Sequence, residues 1–411
     1  MAGSSLSITQ TALDGVDTAM GAVSDNLANA QTTGFDAETV DFSTLLGEFI
    51  AGSPLGGGVA AAGITRDFSQ GAITQQSSPT DLAIQGNGFF IFQDPSGNQV
   101  YSRNGQMTIA ANGALQGFNG DQVMGYPISA SGSTGGVLGP IVIPQSALPP
   151  AASTQTTLTG NLDASSPVIT SPINPSDSTT YSASVSVQVY DSLGNAHVLT
   201  FFFQNAGPGT APAAENWNWT ATLDGSTTGL SGNSGTIGFD ANGNVVSGGS
   251  PAIALTATPA GAAPLSLTLN LGGLTQFGGA NTASGTADGS AIGSPTGVAV
   301  GNNGVVAVSY SNGKTVNVAQ VALATFVSEQ GLQLGNGGVY QATAASGTPT
   351  ITAAGAGGAG QIQADALESS NVDTTSQLVS LVVLQRDFQA NAKALQTEAD
   401  VLGTLVEMQT N

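Results

Sequence analysis

Residues 6–30 read LSITQTALDGVDTAMGAVSDNLANA. Leu6, Thr9, Leu13, Val16, Met20, Val23, Leu27 and Ala30 recur at alternating three- and four-residue spacing, which lays one stripe along a helix with Thr9 as its single polar member. The far end repeats the pattern in Leu378, Leu381, Gln385, Phe388, Ala392, Leu395, Ala399, Leu402 and Val406, interrupted only by Gln385. Ahead of that stripe, Thr374 and Gln377 offer a capping box, in which hydroxyl and amide satisfy each other's orphan backbone donors. Both ends are therefore predicted to be helices. An amphipathic helix ordinarily packs on its own domain. Here the spacing stays heptad-like, and both stripes lie at chain ends beyond Gly-rich or polar connectors, which suits helix pairing within the chain or between chains.

Between these ends the texture changes. Asn-Gly occurs eight times, at Asn87, Asn104, Asn112, Asn119, Asn242, Asn303, Asn312 and Asn336, and the pair favours the positive φ of tight hairpin turns. Residues 88–92, 184–190, 197–203, 305–310 and 316–326 are β-branched or aromatic runs that read as strands. The fold class is mainly β: two β-rich domains, one inserted in the other, with terminal helices pairing in a coiled-coil-like domain. Pro144, Pro149 and Pro150 close the first β block, and a Gly-, Ala- and Ser-rich stretch over 272–297 precedes the next strands. The expected division is 1–30 with 365–411 as the terminal helical domain, 31–70 and 354–364 as connecting segments, 71–150 with 294–353 as a discontinuous β domain, and 151–293 as an inserted outer β domain.

Composition excludes several functions. The 411 residues hold 26 acids against 5 bases, a formal net charge of −21, so a nucleic-acid partner is excluded for want of clustered cations. The bases are Arg66, Arg103, Lys314, Arg386 and Lys393, and residues 104–313 carry eight acids with no cation. Without cysteine and with a single histidine, the chain has no disulfide, thiolate site or multi-histidine metal centre, and no cofactor is expected. No apolar run reaches the roughly 20 residues of a membrane span, and the N-terminus lacks the basic and apolar regions of a secretory signal. No membrane insertion and no cleaved signal peptide are expected.

Local motifs favour structural readings. Gly355, Gly357 and Gly360 satisfy G-x-G-x-x-G, but no βαβ unit surrounds them, so they read as a linker. Asp191, Ser192 and His197 bracket a turn between two strands, where such residues stabilise the turn more often than they form a nucleophilic triad. Trp217 and Trp219 share a strand face that reads as core. No carboxylate pair stands out by spacing, so catalytic and metal sites are expected to be absent.

Residues 25–35, DNLANAQTTGF, resemble the N-terminal motif of the flagellar rod and hook axial-protein family, in which an Asn-Leu-Ala-Asn core runs on to Thr-Gly-Phe. Its matching positions here are Asn26, Ala28, Asn29, Thr33, Gly34 and Phe35; Asp36 stands where the family often has a base. GITRDFSQGAIT (63–74), DLAIQGNGFFIF (81–92), YSRNGQ (101–106) and VYDSLGNAHVLTFFF (189–203) resemble the hook members, and ALESSNVDTTSQLVSLVVLQRDFQANAKALQT (366–397) resembles the family's closing helix. Rod members generally lack the domain that contains YDSLGNAH, which favours hook over rod.

The resemblance implies a non-enzymatic structural subunit of the bacterial flagellum. Such a subunit assembles into a homo-polymeric, flexible tube that acts as a universal joint and transmits motor torque to the filament. It implies an extracellular location reached through the flagellar export apparatus, and partners in a hook cap protein, rod proteins and hook–filament junction proteins. The self-assembly seam is expected at Leu6, Leu13, Val16, Met20, Val23 and Leu27 on one helix and Leu378, Leu381, Phe388, Leu395, Leu402 and Val406 on the other. A secreted acidic β-rich adhesin, a distal rod subunit and a secreted glycoside hydrolase are the alternatives; the adhesin gives no use to matched heptads at the two ends.

Overall fold

A computed structural model describes residues 2–50, 53–129, 132–133, 135–255 and 261–410. Two helices flank a β-rich middle: α1 over Ala2–Ala28 and α2 over Thr374–Thr410. The chain folds into two compact units, Met1–Gln145 with Gly297–Val308 and Val316–Asn411, and Ser146–Thr296 with Ser309–Thr315.

In the first unit, β1 (Glu38–Ile50) and β2 (Ser53–Arg66) form a long antiparallel hairpin in residues read from sequence as a connecting segment. The hairpin packs along α1. Gly15 faces Phe42 of β1, and a Cβ there would come within 3.1 Å of the phenyl ring. The unit's main sheet includes Phe89–Gln93, Gln99–Ser102, Gln122–Pro127, Val305–Tyr310 and Thr315–Thr325, with Thr350–Ala353 beside the last. Its core is aromatic: Phe89 meets Phe68, Phe326 and Tyr340 edge-on at ring separations of 5.9, 6.0 and 5.7 Å. Such edge contacts set a positive ring rim against a negative face.

The second unit pairs two five-stranded sheets. One runs Leu230–Ser231, Ala252–Leu255, Ser266–Phe277, Gln155–Asp163 and Ser284–Ala287; the other runs Ala183–Tyr190, Ala196–Pro208, Glu215–Leu223, Ser234–Phe239 and Val245–Ser247. Val185, Val187 and Val189 alternate with exposed residues, and they share one core with Phe201, Phe203, Trp217, Trp219 and the leucines 265, 267, 269 and 271. This is a sandwich whose two inner faces interdigitate. Within the stretch 272–297, Ser284–Ala287 is a strand antiparallel to Gln155–Asp163.

Seven of the eight Asn-Gly glycines have positive φ; the exception is Gly105. There the missing Cβ serves close approach instead, since the Leu82 carbonyl occupies its place. Gly355 to Gly360 form a turn between Thr350–Ala353 and Gln361–Ala364, closed by the Gly355 N–H donating to the Gly360 carbonyl at 2.8 Å.

The capping of α2 differs from expectation. Asp373 is the N-cap, its Oδ1 accepting from the N–H groups of Thr375 and Ser376 at 2.9 and 3.4 Å, while Thr374 is already helical. A carboxylate at that place satisfies the free N–H groups and opposes the positive end of the helix dipole.

Candidate assembly surface

The motif 25–35 ties α1 to the hairpin and to the β core. Asn26 is fully buried, and its amide pairs twice with the Glu38 backbone: Nδ2 donates to the carbonyl and Oδ1 accepts from the N–H, each at 2.7 Å. A side chain thereby supplies the ladder partner that the first residue of β1 lacks. Asn29 closes the last turn, with Nδ2 donating to the Asp25 carbonyl at 3.0 Å and Oδ1 accepting from Thr32 at 3.1 Å. Gly34 sits at φ +64°, where a Cβ would lie 2.6 Å from the Asn104 nitrogen, so the chain can pass only without a side chain. Asn29, Thr33, Gly34 and Phe35 border an open cavity of about 480 Å³. Ala28 is exposed.

Asp36 lies buried on the same cavity and accepts a hydrogen bond from the Tyr340 hydroxyl at 2.7 Å. Burial raises its carboxyl to about 6, against the lowering effects of the Tyr340 hydrogen bond and the Arg103 charge. Burial and the nearby Asp36 charge push the Tyr340 phenol well above its ordinary range. Deeper in, Arg103 pairs with Glu368 at 3.4 Å, donates to the Gly86 carbonyl at 2.9 Å and lies 5.3 Å from the Phe89 ring centre. Burial raises the Glu368 carboxyl, with Arg103 opposing the shift. Arg66 pairs with Glu38 at 2.6 Å.

Asn371 makes the matching tie at the entry to α2. Its Oδ1 accepts from the Ala37 N–H at 2.8 Å, and its Nδ2 donates to the Asp67 and Ser69 carbonyls at 2.6 and 3.0 Å. The two ends of the chain are thus fastened beside each other. Along the helices, the Thr9 hydroxyl donates to Glu398 at 3.1 Å, so the one polar member of the first stripe has a partner on α2.

The helix faces are rotated from the expected seam. Among the described residues of α1, Thr9, Gly15, Ala19, Ala22 and Asn26 are buried, while Leu6, Leu13, Val16, Met20, Val23 and Leu27 are half-buried. On α2 no described side chain is buried. Leu381, Ala392, Leu395 and Leu402 are half-buried, Leu378 and Phe388 are exposed, and the Val406 side chain falls outside the described residues. A second apolar face of α2 is open to solvent: Val379 is 61 %, Val401 51 % and Met408 78 % exposed.

In the second unit, Asp191 and His197 form a structural knot. Asp191 Oδ1 accepts from the Leu193 and Asn195 N–H groups at 2.9 Å, and His197 lies between Asp224 at 2.8 Å and Asp191 at 3.5 Å. The Ser192 hydroxyl accepts from the Ala263 N–H at 2.8 Å, so the arrangement is a braced turn. Although burial opposes it, the two aspartates raise the His197 pKa.

The chain matches family models described as the flagellar hook protein FlgE/F/G D1 domain over residues 83–163, the flagellar basal body protein FlaE D2 domain over 161–290, and the flagellar basal body rod FlgEFG protein C-terminal over 363–408. It is 33 % identical over 402 residues to the flagellar hook protein FlgE of Escherichia coli strain K12, covering 96 % of this chain and 98 % of that one.

The chain belongs to the flagellar hook protein family. The hook protein FlgE of Salmonella typhimurium is 34 % identical over 406 residues, with 96 % of this chain and 98 % of that one covered. The Rhizobium meliloti hook protein is 32 % identical over 400 residues, covering 94 % of each chain. The crystal structure of Helicobacter pylori flagellar hook protein FlgE2 shares the fold at a TM-score of 0.53 and 15 % identity, covering 72 % of this chain and all of that one. The protein is a structural subunit of the flagellar hook. Its family is a structural one, and no described helix is long and apolar enough to cross a membrane. Sequence alone did not reveal the partners Asp36–Tyr340 and Arg103–Glu368, the role of Asn371 or the hairpin, although Arg103 lies within the family-like stretch 101–106 and Glu368 and Asn371 within 366–397.

Proposed function

We propose that this subunit builds a homo-polymeric tube that bends while it transmits motor torque, and that its terminal helices form the channel wall. The observation that carries this reading is α2: 37 residues of helix with no described side chain buried and an apolar face left in solvent. A single chain gains little from such a helix, because helices draw most of their stability from tertiary burial. The seam residues Leu13, Val16, Met20, Val23, Leu381, Leu395 and Leu402 hold the helix pair together, and Leu378 and Phe388 contribute to contacts between copies. Asn26, Asn29, Gly34 and Phe35 form the joint that fixes the helices to the β core. We take 151–293 as an inserted outer domain and 71–150 with 294–353 as its parent.

In this reading the subunit leaves the cell through the flagellar export channel and meets rod proteins at one end of the tube and hook–filament junction proteins at the other, with a cap protein guiding growth. Few charges cover its surface, so contacts between copies can slide as the tube bends instead of locking in one set of ion pairs. The test is electron microscopy of the purified chain under polymerising conditions. Tubes are expected; persistent monomers at high concentration would overturn the reading.

A further inference from the structure

The outward face of α2 is a continuous second stripe. Val379, Val383, Arg386, Ala390, Lys393, Thr397, Val401, Thr404 and Met408 recur every three or four residues, and every one of them is exposed. The stripe lies roughly opposite the face formed by Leu384, Asn391, Leu395, Glu398 and Leu402, which is half-buried. Its first members, Val379 and Val383, line an open groove of about 390 Å³ bordered by Ala19, Ala22 and Val40.

Two of the chain's five cations lie in the middle of this stripe. Arg66 and Arg103 pair with Glu38 and Glu368, and Lys314 donates to the Asp288 carbonyl. Arg386 and Lys393 form no ion pair among the described residues. Lys393 donates to Gln396 Oε1 at 3.5 Å on its own helix, so both cations lack a counter-charge and would complement an acidic surface in a chain of net charge −21.

The exposed face of α1 is the complement. Among the described residues it includes Ser7, Gln10, Asp14, Asp17, Thr18, Gly21, Ser24, Asp25 and Ala28, and the α1 sequence contains no base. Nothing lies within 4 Å of where a Gly21 Cβ would stand, so a neighbouring helix can approach closely there. Asp17 and Asp25 lie about 12 Å apart along the helix, against about 10.5 Å between Arg386 and Lys393, at 1.5 Å per residue. The lengths also agree: α1 spans about 40 Å, and the stripe from Val379 to Met408 about 44 Å.

We propose that the outward stripe of α2 receives the acidic face of α1 from a second copy of this chain, with Arg386 and Lys393 opposite Asp14, Asp17 and Asp25. This rests on the homo-polymeric reading above and adds to it which faces meet. Docking two α2 stripes on each other would set cation against cation, with only the exposed Asp387 and Asp400 on the stripe's flanks to offset them. The α1 face offers three acids free of that conflict.

The test is reciprocal charge reversal in the full-length chain, read as the critical concentration for tube formation at low salt. Arg386→Glu with Lys393→Glu, and separately Asp14→Lys with Asp17→Lys, should each raise it about tenfold or more, because both put like charges across the contact. The chain carrying all four changes should return to within about threefold of the unchanged chain. Circular dichroism and the melting temperature should stay constant throughout, since none of the four groups has an ion partner among the described residues of the subunit. Reversals that polymerise like the unchanged chain would overturn the inference and leave the tube reading standing. A fourfold variant no better than the pairs would also overturn it, and would assign the cations to another acid such as Asp400. If the unchanged chain forms no tubes, the homo-polymeric reading falls and this inference with it.

Discussion

Replacing Asp36 by asparagine should make the first unit more stable at neutral pH and no different in acid. The buried carboxyl has its pKa raised from 3.8 to about 6. The folded state therefore holds a proton that the unfolded chain has released between those values, and stability falls as pH rises through that window. Moving the carboxyl from 3.8 to about 6 corresponds to about 3 kcal/mol, fully lost above pH of about 6. Asparagine is isosteric and neutral at every pH. Its Oδ1 can still accept from the Tyr340 hydroxyl, and its amide can face the open cavity that Asp36 borders. Scanning calorimetry should show the Asp36→Asn transition about 6–12 °C higher at pH 7, with the two proteins converging near pH 4. A variant equal to or less stable than the unchanged chain at pH 7, or a difference independent of pH, would refute the argument that burial governs this carboxyl.

Asn26→Ala should cost about 3 kcal/mol in the same calorimetric transition, because it leaves a buried N–H and carbonyl of Glu38 unpaired. Gly34→Ala should cost about 1–3 kcal/mol, since it forces a side chain to φ +64° and against the Asn104 backbone; an unchanged melting temperature would contradict the packing described. The second unit should lose stability as pH rises from about 6 through the folded pKa of His197, because a raised histidine pKa contributes fully only below the unfolded value. Trp217 and Trp219 are the chain's two tryptophans and both lie in that unit's core, so the urea midpoint of tryptophan fluorescence reads it, and His197→Gln should flatten the dependence. Leu395→Asp should abolish tube formation while leaving that fluorescence transition in place, because it sets a charge in the contact between α1 and α2.

Local rules written in neighbouring residues made much of this protein legible. The three-four spacing of Leu6 to Ala30 and of Leu378 to Val406 is a property of a helix alone, and both helices are present. Alternation such as Val185, Val187 and Val189 needs only the period of a strand, and seven of the eight Asn-Gly pairs form positive-φ turns because glycine admits that backbone without help from elsewhere. The family motif at 25–35 was equally plain, being contiguous.

What the spacing left open was decided by long-range contacts. A heptad establishes that a stripe exists, but which side of it is covered depends on what arrives there. The β1–β2 hairpin takes the small-residue side of α1 at Gly15, and α2 is left with Leu378 and Phe388 of its expected seam exposed and a second stripe around Arg386 and Lys393. Asp373 and not Thr374 is the cap, and the chain leading into α2 is held by Asn371, whose partners lie far off at Ala37, Asp67 and Ser69. The partners of Asp36 and Arg103 are Tyr340 and Glu368, 304 and 265 residues away. No pattern within one segment encodes such a pairing. Only the closed chain brings these groups out of water together, where an unmatched charge or amide would be too costly to keep.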